Sequence, residues 1–325
     1  MKSGKLPSDV LEQKIFSSLK FKREEVLVRP KIGEDCSVLD FGKYACVLST
    51  DPITGAASEI GRLAVHISCN DVAANGVEPF GLLFTILAPE GTPVEDLQQI
   101  VSQAADEAAS LKVEIIGGHT EITTAVNRIV VSTTAVGRAP RCRVVNSAGA
   151  KAGDSIILTK WAGLEGTAII AHDLGERLKG RIDQELLESA RSFMQHISVV
   201  KEGMTGGRMG ASAMHDVTEG GVLGALWEIA EASSVGLRVY QEKIPVRPET
   251  KAICRELGLD PLKLISSGCM LITCSDGEEM LGALEREGIP ASLIGEVTGK
   301  ERILVRDGTE IPMDPPRSDE LYKVI

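Results

Sequence analysis

Aromatic residues make up only 3% of this 325-residue chain, which disfavours a stacking surface for single-stranded nucleic acid. A net positive field is also missing: 35 Lys and Arg stand against 46 Asp and Glu, a formal charge of −11. Neither nucleic acid nor an anionic membrane is then the expected main partner. The seven cysteines (Cys36, Cys46, Cys69, Cys142, Cys254, Cys269 and Cys274) include no Cys-x-x-Cys pair. Such an odd, scattered set reads as reduced and mostly buried thiols, and it leaves zinc without its usual ligand spacing. No run approaches the ~18 consecutive apolar residues of a membrane span. Met1–Lys5 leads straight into an amphipathic segment without signal-peptide character. The expectation is a cytoplasmic protein.

What is abundant is apolar material, at 43%, enough in a chain of this length for two cores. Residues 8–19 carry helical periodicity behind Ser8, which follows Pro7. Ala45–Ser49, Phe80–Leu87, Glu114–Ile116 and Ile129–Val136 read as strands, and Ser58–Asn75 and Pro93–Leu111 as helices. The alternation is an α/β pattern. Arg138–Gly153 breaks the periodicity, and the domain boundary is placed there, with residues 1–140 and 150–325 on either side. Beyond it come Ser155–Leu158, Leu186–Met194, Gly221–Ala232, Met270–Cys274, Glu278–Glu287 and Ala291–Val297 as further elements.

Five acidic islands, three of them containing glycine, punctuate this pattern where elements are expected to end. They are Gly33-Glu34-Asp35, Ser49-Thr50-Asp51, Asn70-Asp71, Gly117-Gly118-His119-Thr120-Glu121 and His215-Asp216-Val217-Thr218-Glu219-Gly220-Gly221. Carboxylates in such places suit a hard cation such as Mg2+, which prefers oxygen ligands and brings phosphate oxygens with it. Glycine pairs let backbone approach a phosphate closely. Each island has a blander explanation, since Asp and Gly populate ordinary turns. Asp51 also precedes Pro52, a common turn opener. Asp71, however, falls near a helix C-terminus, where a carboxylate opposes the helix dipole. That local disadvantage points to an external partner, and five islands in one chain point to a nucleotide site.

Together these segments resemble the superfamily of aminoimidazole ribonucleotide (AIR) synthetase, selenophosphate synthetase, thiamine-monophosphate kinase and the hydrogenase-maturation factor HypE. Asn70-Asp71-Val72-Ala73-Ala74-Asn75-Gly76-Val77-Glu78-Pro79 is similar to its Asn-Asp-Leu-Ala-Ala-Met-Gly-Ala-x-Pro signature. Lys31–Leu39 resembles its N-terminal Gly-Asp-Asp-Ala segment, and Gly117–Thr120 its Gly-Gly-acid-Thr turn. His215–Gly221 resembles the His-Asp-x-Thr-Arg-Gly-Gly element of the HypE branch, with Glu219 in place of the Arg. Trp161–Thr167 resembles the Gly-x-x-Gly-Thr step of that branch, although a strand-to-helix turn capped by Thr167 accounts for it as well.

The resemblance implies a PurM-like, α/β (α+β) two-domain fold. Its N-terminal domain would pair across a homodimer into an intersubunit β-barrel, and a C-terminal α/β domain would follow. It implies ATP and Mg2+ as cofactors, with Asp35, Asp51 and Asp71 holding the metal. Backbone amides of Gly117, Gly118, Gly220 and Gly221, together with Thr120, would meet phosphate, and His215 and Asp216 would serve catalysis. The implied chemistry is ATP-dependent phosphorylation of an oxygen on a small or peptide-borne, carboxamide-like substrate. A thiamine-monophosphate kinase-like phosphotransferase is one alternative. A non-catalytic, nucleotide-binding maturation scaffold that recruits a partner protein is another. His66 reads as a structural histidine, and His119 stands where other branches carry Asp or Glu. Pro316-Arg317 is followed by no cysteine, so self-carbamoyl dehydration on a terminal thiol is not expected.

Overall fold

In Tyr44–Ile53 every second residue turns inward, which is the period of a strand with one covered face. The computed structural model describes residue 6 and residues 8–53, 59–315 and 318–324. Pro7, Ser58, the Pro316-Arg317 pair and residues 1–5 therefore lie outside the described residues.

Among these residues the first sheet has six strands: β1 (Val26–Val28), β2 (Ser37–Phe41), β3 (Tyr44–Ile53), β4 (Pro79–Ala88), β5 (Glu114–Ile122) and β6 (Val130–Pro140). Their spatial order is β1-β2-β3-β6-β4-β5. All neighbours run antiparallel except β4 and β5. A parallel pair needs a crossover, which α3 (Val94–Ser110) supplies. The first helical run starts with α1 (Ser8–Val10) and continues in wider and then tighter winding to Ser18. Helix α2 (Ile60–Ala74) is buried along most of its length, and it lies with α3 on one face of the sheet. Towards the other face Phe80, Leu83, Ile116 and Ile122 are exposed.

The second sheet has seven strands in the order β13-β12-β9-β11-β7-β10-β8. They are β7 (Ser155–Thr159), β8 (Ala213–Asp216), β9 (Gly236–Tyr240), β10 (Met270–Cys274), β11 (Ala291–Thr298), β12 (Arg302–Arg306) and β13 (Thr309–Pro312). Its helices are α4 (Leu164–Asp173), α5 (Gly175–Leu178), α6 (Gln184–Ser192), α7 (Val200–Arg208), α8 (Gly221–Ser233), α9 (Pro248–Leu257) and α10 (Gly277–Arg286). Strand β10 is buried at all five positions, as a strand covered on both faces should be.

The two sheets meet through α2. Asn70, fully buried, donates from Nδ2 to Ile197 O and accepts at Oδ1 from Val199 N, both at 2.8 Å. Its side chain thereby satisfies two backbone groups of the loop before α7. The last turn of α2 also packs against β8. This seam sets aspartates from both halves of the chain beside one another.

A buried carboxylate site at the seam

Four local structures deliver the site. Strand β3 presents Ser49 and Asp51 on one face, two residues apart. The last turn of α2 carries Asp71. The loop before β2 carries Asp35 and is pinned to α8 by Lys31, whose Nζ donates to Ala232 O at 2.9 Å. The end of β8 carries His215 and Asp216.

Ser49 Oγ donates to Asp71 Oδ2 at 2.5 Å, with Asp51 Oδ2 and the Asp35 carbonyl each 3.3 Å away. Ligand-type atoms of Asp35, His215 and Asp216 lie within 4.8 Å of one another. His215 Nδ1 stands 2.7 Å from Asp216 O and 3.6 Å from Asp35 Oδ2, and Nε2 stands 3.3 Å from Glu228 Oε2. Asp216 is completely buried, and neither of its carboxylate oxygens has a hydrogen-bond partner among the described residues.

The electrostatics follow from that crowding. Burial, and then the charges of Asp216, Asp51 and Asp35, push the Asp71 carboxyl well up. Burial and Asp35 push Asp216 up to about 7, although His215 works the other way. For His215 burial favours the neutral ring, but Asp35, Glu228 and Asp216 outweigh it and raise the group to about 10. The ring is then a cation whose Nδ1 meets Asp216 O and whose Nε2 faces the Glu228 carboxylate, which makes it a counter-charge and a poor metal ligand. Burial, reinforced by Asp71 and Asp35, holds the Cys36 thiol protonated, so it is no nucleophile.

A buried carboxylate with two orphaned oxygens, facing three more carboxylates, calls for a cation. The donors at hand are oxygens, which suits Mg2+. The residues therefore fit the metal: Asp35, Asp51, Asp71 and Asp216 could hold it. Asp216, expected in catalysis, stands with the three aspartates expected at the metal.

The glycine islands are placed differently. Gly117, Gly118 and Thr120 lie inside the exposed edge strand β5, not in a turn. The register runs Asp51 to Thr133, Thr133 to Phe84 and Phe84 to Gly118. Three strand spacings, roughly 14 Å, thus separate Gly118 from the strand of Asp51. Gly118 is needed for packing, because a Cβ there would stand 1.9 Å from Phe84 O. The amides of Gly220 and Gly221 at the start of α8 are already engaged. Gly220 N donates to Asp319 Oδ2 at 2.7 Å and Gly221 N to Thr218 O at 3.1 Å. A carboxylate of the C-terminal segment thus sits where phosphate was expected, for the same reason: a helix N-terminus attracts an anion.

His119 is exposed and stands 3.4 Å from Glu121 on the edge strand. His66 is buried against Glu107 at 2.9 Å. Sequence reasoning missed Glu228, although a lone acid inside the apolar helix α8 is a usable signal. It also missed Asp319 and Glu165, whose partners are remote in sequence.

Comparison with known proteins agrees with this architecture. Residues 33–139 match the N-terminal domain of AIR synthase related protein, and residues 151–308 match its C-terminal domain. The chain is 32% identical to a carbamoyl dehydratase HypE of Cupriavidus necator, over 81% of this chain and 76% of that one. It is 30% identical to the carbamoyl dehydratase HypE of Bradyrhizobium diazoefficiens, over 85% and 81%. In structure it is similar to a chain of a HypE–HypF complex, with a TM-score of 0.78, 28% identity and coverage of 94% and 99%. The chain belongs to the AIR synthase related family and has that family's two-domain α/β fold, with HypE among its homologues.

Proposed function

We propose that this chain is an ATP- and Mg2+-dependent enzyme that phosphorylates the oxygen of a carboxamide-like group on a small or peptide-borne substrate. The reading places it in the maturation of hydrogenase or a related metalloenzyme. One observation carries it: four carboxylates from both halves of the chain converge at the seam, two of them buried, and among the described residues the buried Asp216 carboxylate has no hydrogen-bond donor. The relatives named carbamoyl dehydratase support a carbamoyl oxygen as the acceptor, and the HypE–HypF complex supports a partner protein.

Asp35, Asp51, Asp71 and Asp216 would hold the metal. When bound, Mg2+ supplies charge neutralisation for the polyphosphate. The chain's own contribution is positioning. Ser49 donates to Asp71, and cationic His215, braced on the Asp216 backbone carbonyl, faces Asp35 across the seam. In the transfer the acceptor oxygen bonds to the γ-phosphorus while the bond to the β–γ bridging oxygen breaks and ADP departs. Phosphate then leaves with the former carbonyl oxygen, and two protons leave the nitrogen, so that a nitrile remains.

The apolar side chains exposed on β4 and β5 support pairing of two copies into a barrel. The same reading takes 1–140 and 150–325 as the two domains and the cytoplasm as the location. Titration calorimetry with Mg-ATP tests the core of it. Asp71→Asn and Asp216→Asn should each weaken binding about 10- to 100-fold while circular dichroism stays unchanged. Wild-type affinity in both variants would end the assignment.

A further inference from the structure

From Asp216 the loop through Glu219 leads to a second polar cluster, which the phosphoryl transfer does not use. Three segments meet there: the entry to α4, the turn before β10 and the C-terminal residues 318–323. Gly163 N donates to Ser266 Oγ at 2.6 Å. Asp319 accepts from Gly220 N, Leu321 N and Ile265 N at 2.7, 2.8 and 3.2 Å. At the rim the Tyr322 hydroxyl lies 3.5 Å from Glu219 Oε1, and both residues reach solvent.

Inside stand Glu165, 4% exposed, and Ser267, 1% exposed; among the described residues neither Glu165 Oε2 nor the Ser267 hydroxyl makes a hydrogen bond of normal geometry, although Ser267 lies close enough to favour the Glu165 carboxylate. Glu165 lies against Ser267, with Glu219 and Asp319 as neighbouring charges. Burial, chiefly, pushes its carboxyl up to about 7. Leaving such oxygens unpaired costs free energy unless a ligand supplies donors.

The cluster's character selects the ligand. Acidic neighbours exclude an anion. Both Asp319 oxygens are taken by backbone amides, so the interior offers one spare carboxylate oxygen and one hydroxyl. That pair would leave a divalent cation most of its shell to fill with water. It suits a single charge carrying several N–H donors, and an ammonium group has three. We propose that the cluster of Glu165, Ser267 and Glu219 binds a primary ammonium group of the substrate. Its role, holding the acceptor beside the carboxylate seam, rests on the phosphoryl-transfer reading; the binding itself does not.

Calorimetric titration with methylammonium chloride tests it, without nucleotide, so that failure here and failure of the Mg-ATP reading are separate results. Methylguanidinium and tetramethylammonium chloride at equal ionic strength are the comparison cations. The expected result is saturable methylammonium binding in the wild type, weakened about tenfold or more in Glu165→Gln, with none for tetramethylammonium. No saturable binding, equal binding in the variant, or a preference for either comparison cation overturns the assignment. If Glu165→Gln does not fold, Glu219→Gln serves instead: about threefold weaker binding supports the assignment, and unchanged binding overturns it.

Discussion

Ser49 on β3 donates to Asp71 on α2 across 2.5 Å, while Asp216, facing the same cluster from β8, receives no hydrogen bond among the described residues. The cluster is therefore unequally supported. One carboxyl receives a donor from the protein, and another is left to a ligand.

Neutralising Asp216 separates the two roles. Its carboxyl is raised to about 7, so the folded protein holds this proton more tightly than the unfolded chain does. That contribution to stability is complete below the unfolded value and is lost as pH rises through about 7. At pH ~8 the ionised wild type carries the penalty, which an amide escapes. Asp216→Asn should then be more stable than wild type in urea by on the order of 2 kcal/mol. Added Mg2+ should stabilise the wild type and not the variant.

Cation binding should also release a proton. Asp216 is half protonated at about 7, and a bound metal requires the carboxylate. Mg2+ affinity should climb about tenfold between pH ~6 and ~8 from Asp216 alone, and Asp71, also raised, would add to the climb. Calorimetry in buffers of different ionisation enthalpy reads the released proton directly, and a flat pH profile would remove Asp216 from the ligand set.

These relationships were unequally legible beforehand. Asp71 could be found because a carboxylate in the last turn of α2 opposes the local dipole. Asp51 stood out at the end of an apolar run, whereas Asp35, just after Gly33, reads as a turn residue until the other islands are set beside it. Gly117-Gly118 could not be placed, because a glycine pair reads as a turn, and only the long-range pairing of β4 with β5 makes it strand. The partner of the Gly220 amide lies 99 residues away, beyond any local pattern. Among the elements, β10 and β11 were evident from apolar runs. The short β12 and β13 were not, since five and four residues carry little periodicity, and neither was α9, whose ten residues are half polar and bury only three.

Asp319 anchors three backbone amides and sits at the start of α8. Its replacement by Ala should cost about 2–3 kcal/mol, through lost hydrogen bonds to a charged group and a lost helix cap. Asp319→Asn keeps an acceptor and should lose about half as much. Urea denaturation followed by circular dichroism gives both values.

Lys160 and Glu202 form a buried pair at 2.7 Å, and the ammonium also donates to His196, Ser198 and Gly268 carbonyls. Lys160→Met removes the cation and strands Glu202, which should cost about 3–5 kcal/mol. Lys160→Met with Glu202→Leu should recover part of the loss, because the uncompensated charge is gone. A double variant no better than the single one would show that the carbonyl contacts, and not the pair, hold this loop.

Glu165 offers a pH test independent of the metal. Burial is the main cause that raises its carboxyl from 4.5 to about 7. Between those values the native state binds the proton that the unfolded chain has released, so stability falls as pH rises. Above about 7 the whole penalty is present, with an upper bound of about 3 kcal/mol. Glutamine cannot ionise, so the stability difference between Glu165→Gln and wild type should grow from pH ~4.5 to ~7 and then stay constant. Chemical denaturation across that range measures it. A difference that does not change with pH would mean that Glu165 is ionised throughout and already has a cationic neighbour. The same experiment repeated with saturating methylammonium should flatten the profile, because a bound cation lowers the carboxyl toward its ordinary value.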